Sequence, residues 1–101
     1  MESVNVVTLA GNISSSARRL VGRNNAWTSF FLTTYRVIKS DGGKIRVPEV
    51  HEIRMFNSGS LFDYLKEGKF AVVVGRYCPE SDDEPAYVSA SSVTFPTRGD
   101  F

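Results

Sequence analysis

Aromatic and basic side chains are interleaved in the first half of this sequence. The aromatic residues that could stand on one exposed face of extended strands are Trp27, Phe31, Tyr35 and Phe56. The basic residues near them are Arg18, Arg19, Arg23, Arg36, Lys44, Arg46 and Arg54. Rings stack on bases and cations pair with phosphates, which is how proteins hold single-stranded nucleic acid without reading its sequence. These residues are therefore the candidate nucleic-acid contacts.

The formal net charge of +1 is low for a nucleic-acid binder, but the charges are unevenly distributed. Between residues 12 and 47 there are seven basic side chains and a single acid, Asp41. The segment at 79–85 is purely acidic and carries Glu80, Asp82, Asp83 and Glu84. The sequence thus predicts a positive side and a negative tip.

Residues that could do catalysis or bind a metal are scarce. Cys78 is the only cysteine, which excludes an internal disulfide and a zinc cluster of several cysteines. Cys78 and His51 could suggest a nucleophile and its base, but no other residue supports that chemistry, and a structural thiol and an interior histidine are favoured. No triad spacing or phosphate-cradling glycine loop is present. We expect a non-enzyme that has no metal and no cofactor.

The elements that must position the candidate contacts are five strands and one helix. Residue types predict strands at 4–10, 27–38 and 44–57, a short helix at 58–67, and strands at 69–77 and 87–95. The polar segment 12–26 is interpreted as a loop, and Gly11 as a bend. Pro48 requires an edge position or a bulge in the third strand. Ser58 is expected to cap the helix.

This order predicts an all-β OB-fold, a five-stranded Greek-key barrel with a short helix between strands 3 and 4. The long third strand fits, because one strand of such a barrel curls to serve both halves. An SH3-like barrel is the alternative for five strands, but it has no obligatory helix at this place. The length suits one domain, which we expect over residues 1–96, followed by a short tail at 97–101.

Strand register decides which side chains can meet a ligand. If Phe30 and Leu32 face the core, then Phe31 and Tyr35 face outward. A slip of one residue would reverse every such assignment. Trp27 could equally close the end of the barrel or stack on a base.

The third strand alternates in the same way. His51, Ile53 and Met55 are expected inside, which places Arg54 and Phe56 on the outer face. The Arg18, Arg19 and Arg23 group could contact nucleic acid or simply form a solvated loop.

Blocks in the same order along the chain resemble the bacterial single-stranded DNA-binding protein (SSB) family. They are Asn5-Val6-Val7-Thr8-Leu9-Ala10-Gly11-Asn12-Ile13, Phe30-Phe31-Leu32-Thr33-Thr34, Glu49-Val50-His51-Glu52-Ile53-Arg54-Met55-Phe56, Tyr64-Leu65-Lys66-Glu67-Gly68, Val72-Val73-Val74-Gly75-Arg76 and Ala90-Ser91-Ser92-Val93-Thr94-Phe95. The resemblance implies binding of single-stranded DNA, with RNA as the alternative, by strands 2 and 3. It also implies a homodimer or homotetramer, and replication proteins as further partners.

The chain departs from the family pattern at several points. Val50 stands where the family usually has Trp, and Glu52 where it has Arg. The loop between strands 4 and 5 is short and acidic, and the family's glycine-rich linker and acidic tip are missing. A second interpretation therefore stays open: an OB-fold interaction module of a replication or primosome complex that binds DNA weakly, similar to primosomal replication protein B.

The sequence also predicts where the protein works. No apolar run approaches the roughly 20 residues that span a bilayer. The first residues lack the basic and apolar regions of a signal peptide. We expect a cytoplasmic protein without membrane contact.

Overall fold

The computed structural model describes residues 3–22 and 25–96 and shows a five-stranded barrel. Its elements are β1 (Val7–Val21), β2 (Ala26–Ser40), β3 (Gly43–Met55), a 3₁₀ helix (Gly59–Tyr64), β4 (Phe70–Cys78) and β5 (Tyr87–Thr94). The strands close in the order β1-β2-β3-β5-β4. Every pairing is antiparallel except a short parallel contact of β3 with β5. The predicted OB-fold is confirmed.

The first strand differs most from the sequence-based expectation. The strand predicted at 4–10 is confirmed from Val7, but the loop predicted at 12–26 was wrong as far as Val21, because β1 continues to that residue and pairs with β2 from Asn12 onward. Polar residues are tolerated there because they point to solvent, while Ile13 is buried and Ala17 packs against the core. Two register shifts between Ile13 and Arg18 accompany the bend of β1 around the barrel.

Two glycines sit where backbones approach each other closely. A Cβ at Gly11 would lie 2.2 Å from the Thr33 carbonyl oxygen, and a Cβ at Gly75 would lie 2.2 Å from the Ser89 carbonyl oxygen. No side chain fits at that separation. Both positions therefore depend on glycine, one at the crossing of β1 over β2 and the other at a register shift between β4 and β5.

The hairpin of β2 and β3 extends beyond the barrel. Its pairing is unbroken from Thr28 opposite Met55 to Ser40 opposite Gly43. Among residues 3–22 and 25–96, β5 pairs with β3 only at Ile53 and Arg54, and residues 35–48 pair solely with each other; we call residues 35–48 the arm. Pro48 accordingly occupies an edge position, as its missing N–H requires.

The helix segment closes one end of the barrel. It was predicted over 58–67 but is a 3₁₀ helix of six residues, Gly59–Tyr64. The Ser58 carbonyl accepts a hydrogen bond from the Leu61 N–H, while the Ser58 hydroxyl bonds Thr28 and caps no backbone group. Leu65, just after the helix, is 1% exposed and packs into the core with Phe30 and Leu32.

Within residues 3–22 and 25–96, no helix is long and apolar enough to cross a membrane. The cytoplasmic location stays a prediction. The tail predicted at 97–101 lies outside the described residues.

Candidate nucleic-acid interface

The side of β2 and β3 that points away from the core carries the candidate stacking residues. Phe30 and Leu32 are fully buried, so the alternation predicted for β2 is confirmed and the one-residue slip is excluded. Phe31 is half-buried and Tyr35 is 49% exposed. We call this surface the outer face; it comprises the odd-numbered residues 27–39 of β2 and the even-numbered residues 44–54 of β3, extended by Phe56.

At the arm, the outer face combines a ring with positive charge. The Arg46 guanidinium carbon lies 4.0 Å from the centroid of the Tyr35 ring, a close cation–π contact. Lys44 is exposed and lies on the same side, opposite Lys39 in the register. Arg36 alternates to the other side of the arm, where its Nε lies 3.6 Å from Glu49 Oε2. The structure thus places Tyr35, Lys44 and Arg46 on one side of the arm, where only Tyr35 and Arg46 are seen in contact, and places Arg36 on the other side.

A second aromatic site lies at the opposite end of the outer face. The ring centroids of Trp27 and Phe56 are 6.3 Å apart at 46°, and Phe56 is 47% exposed. Both rings line a pocket of about 260 Å³ together with Arg19 and Ser58. Trp27 does both things considered from the sequence: it packs at the barrel end and it lines an open pocket.

The basic residues of β1 are divided between two surfaces. Arg18 is exposed and opposite Ser29 in the register, beside the outer face. Arg19 is also exposed, and its guanidinium lies 5.4 Å from the centre of the Phe62 ring. Arg23 falls outside the described residues.

Arg54 lies on the outer face but is covered. Only 7% of the residue is exposed. Its Nε donates to Glu52 Oε2 at 2.8 Å and its Nη1 donates to Glu84 Oε1 at 3.2 Å. Its guanidinium also lies 4.0 Å from the Tyr87 ring centre and 5.2 Å from that of Trp27. Sequence reasoning placed Arg54 on the correct face but missed the acidic loop that covers it, so the free guanidinium expected there is not found.

Electrostatics hold this cluster together. Burial lowers the pKa of Arg54, but hydrogen bonds and charges from Glu52 and Glu84 outweigh that effect, and the net shift is upward. Arg54 therefore keeps its charge despite its low exposure. The guanidinium and the carboxylates meet as charge-assisted hydrogen bonds, which are stronger than those between neutral groups.

His51 has the interior role expected from the sequence. It is half-buried, and its Nε2 lies 2.9 Å from Thr34 Oγ1 across the β2–β3 pair. That hydrogen bond gives one ring nitrogen of the imidazole a partner within the sheet. Cys78 is half-buried, with its Sγ 3.9 Å from the Arg76 carbonyl oxygen.

A closed five-stranded barrel with a helix between β3 and β4, carrying rings and cations on β2 and β3, defines an OB-fold protein with a candidate strand-binding face. No family model matches the sequence, and no curated protein matches it either.

Solved structures of single-stranded DNA-binding proteins share this fold. A Plasmodium falciparum SSB in complex with ssDNA superposes with a TM-score of 0.76 at 18% identity, over 96% of this chain and 98% of that one. A deletion mutant of the Thermus aquaticus single-stranded DNA-binding protein superposes with a TM-score of 0.73 at 20% identity, over 95% of this chain and 52% of that one. A small single-stranded DNA-binding protein from Streptomyces coelicolor superposes with a TM-score of 0.69 at 13% identity, over 95% of each chain.

Proposed function

We propose that this protein binds single-stranded DNA, without catalysing a reaction, as part of DNA replication, recombination or repair. The observation that carries the proposal is the outer face, where Phe31, Tyr35 and Phe56 offer rings and Lys44 and Arg46 add charge. Stacking and phosphate pairing together hold a strand of any sequence. The likeness of the fold to an SSB in complex with ssDNA supports this use of the face.

The bound DNA strand runs along β2 from the Trp27–Phe56 site toward the arm. The 15 residues of β2 extend about 50 Å at ~3.3 Å per residue. That length accommodates several nucleotides, in keeping with the roughly 4–16 nucleotides that one OB-fold occupies. Bases stack on the rings while phosphates meet the cations of the arm.

The direct test is titration with oligo-dT at low and at physiological salt. Each phosphate neutralised on a single strand contributes a slope of about −0.7 in log K against log salt, so binding should weaken by roughly tenfold or more. Oligo-dC should bind with similar affinity, because every base has a π-face. Oligo-U in the same titration decides between DNA and RNA. Absence of binding to any strand at low salt would contradict the proposal.

A second candidate function is the protein-interaction module. The observation that favours it is the exposed acidic segment that contains Glu80, Asp82 and Asp83, together with the two carboxylates that neutralise Arg54. Both features repel a polyanion such as DNA, and both are complementary in charge to a basic replication protein. Failure of the oligonucleotide titration would leave this function in place of the first.

We also propose that the protein assembles as a homodimer or homotetramer through the first part of β1. Val7–Ala10 pairs with β4, whereas β2 lies against Gly11 and pairs with β1 only from Asn12, so one edge of residues 7–10 is open. Val4 and Val6 beside it are 86% and 66% exposed. Leu9, Val50 and Tyr77 line an adjoining pocket of about 350 Å³. An open edge with apolar neighbours is stabilised by pairing with another copy.

A further inference from the structure

The loop between β4 and β5 touches the proposed binding face. This acidic loop, residues 79–86, has a turn in which the Ser81 N–H donates to the Glu84 carbonyl at 2.9 Å. Pro79 and Pro85 near its two ends restrict the backbone further. From this loop the Glu84 carboxylate reaches Arg54 Nη1 at 3.2 Å. The loop is thus fastened to the outer face by one side chain.

The two carboxylates on Arg54 are not equivalent. Glu52 comes from β3, its side chain is 14% exposed, and it also accepts a hydrogen bond from Ser29 Oγ at 3.2 Å. The Glu84 side chain is 46% exposed and comes from a loop. One cation paired with two anions leaves the cluster with one surplus negative charge. Glu84 is the partner that can leave, because Arg54 keeps Glu52 and two aromatic neighbours.

A DNA strand bound along the outer face has to pass the cluster of Arg54, Glu52 and Glu84. Arg54 is opposite Ser29 and Glu52 is opposite Phe31 in the β2–β3 register, so the cluster lies between Phe31 and the Trp27–Phe56 site. A phosphate there meets the surplus negative charge while Glu84 is in place. A guanidinium donates hydrogen bonds to phosphate oxygens in the same geometry in which it donates them to a carboxylate. Phosphate and Glu84 therefore compete for one position.

We propose that Glu84 is an intramolecular competitor of the nucleic-acid phosphate at Arg54, and that strand binding displaces the acidic loop. This inference rests on the proposed single-stranded DNA binding. Part of the free energy of strand binding is then spent on releasing Glu84. The intact contact lowers affinity and makes the acidic loop the regulatory element of the outer face.

Two variants with the same charge change test the competition. Glu84→Gln and Asp83→Asn each remove one negative charge from the acidic loop, but among the described residues Asp83 forms no salt bridge. We expect Glu84→Gln to bind oligo-dT about threefold to fivefold more tightly than Asp83→Asn at equal salt, the scale of a half-exposed ion pair. Equal gains in both variants would show only general repulsion and would overturn the proposal.

A second measurement follows the loop itself. Hydrogen exchange of residues 79–86 in the unaltered protein should become faster when oligo-dT is added, because the fastening contact is lost. Slower or unchanged exchange in the loop would contradict displacement. Thermal unfolding of both variants provides the control for folding, although a damaged fold would not produce a gain in affinity.

The outcomes separate the two proposals. If the unaltered protein binds oligo-dT and the two variants gain equally, only the competition is wrong. If neither the unaltered protein nor either variant binds at low salt, the proposed function is wrong and the competition is overturned with it.

Discussion

Two exposed tyrosines show how position decides the role of a side chain. Tyr35 lies under the Arg46 guanidinium on the outer face, at 4.0 Å from ring centre to cation, and is 49% exposed. Tyr64 lies under Lys69 at 5.2 Å and is 55% exposed, but it is the last residue of the 3₁₀ helix and belongs to neither β2 nor β3. Each is a ring beside a cation, yet only the first lies on the proposed strand path. Tyr64 is therefore a matched control for Tyr35.

The stacking residues should be separable from other exposed rings by substitution. Tyr35→Ala and Phe56→Ala should each weaken oligo-dT binding by about 1–3 kcal/mol, the usual cost of losing a base–ring stack. Tyr64→Ala should leave binding unchanged. Fluorescence anisotropy of a labelled oligo-dT measures all three. A loss in Tyr64→Ala as large as that in Tyr35→Ala would show that the strand does not follow the outer face.

The sequence predicted the faces of these residues and not their contacts. Period-two alternation separated Phe30 from Phe31, because a pleated strand leaves no other choice. The same alternation put Arg54 on the outer face. Alternation could not predict the contact between Glu84 and Arg54, because the two residues are 30 positions apart and meet only in the folded chain, through the β4–β5 loop. The isolated acidic run was the only signal of that contact.

Among the elements, the arm carries the exposed charge of the interface. In the part of the chain that the structure describes, residues 35–48 pair only with each other, and none of them is fully buried. Little core packing therefore depends on side chains such as Lys44. Its substitution changes electrostatics and leaves the barrel as it is.

Neutralising one cation of the arm should change the salt dependence of binding. Lys44→Gln should make the slope of log K against log salt shallower by about 0.7, the contribution of one phosphate contact on a single strand. Lys66→Gln, an exposed lysine after the 3₁₀ helix, is the control with equal charge change. Titrations at four or more salt concentrations give both slopes. An identical effect of the two substitutions would mean that net charge, and not the arm, sets the salt dependence.

The first strand shows where sequence-based prediction of elements failed. Residues 14–19 are mainly Ser and Arg, a composition typical of loops. They form a strand because β2 supplies hydrogen-bond partners across the hairpin and because Ile13 and Ala17 turn inward. Pairing with a neighbouring strand is tertiary information, which local composition does not contain.

Across the whole molecule, the near-zero net charge conceals two regions of opposite charge. The arm carries exposed cations, and the acidic loop presents exposed anions and contacts the outer face through Glu84. Val7 and Leu9 at the open edge line a pocket together with Val50, Glu52 and Ala86.

The assembly can be measured as a molar mass. Light scattering at micromolar concentration should give two or four times the 11.2 kDa of one chain. Val6→Asp should shift the mass toward one chain, because a charge at the open edge opposes strand pairing. Val37→Asp places the same charge on the arm, at a residue 57% exposed, and should not change the mass. A mass near 11.2 kDa for the unaltered protein would exclude the assembly.

The two glycine contacts have a consequence for redesign of this barrel. At Gly11 and Gly75 any added side chain would collide with a backbone oxygen 2.2 Å away, so both positions must remain glycine in a redesigned barrel. Tyr35, Val37 and Phe56 end in solvent and can be exchanged without moving a strand. The side chains of the outer face can thus be exchanged to alter the ligand that this face accepts, while the positions that fix the scaffold are kept.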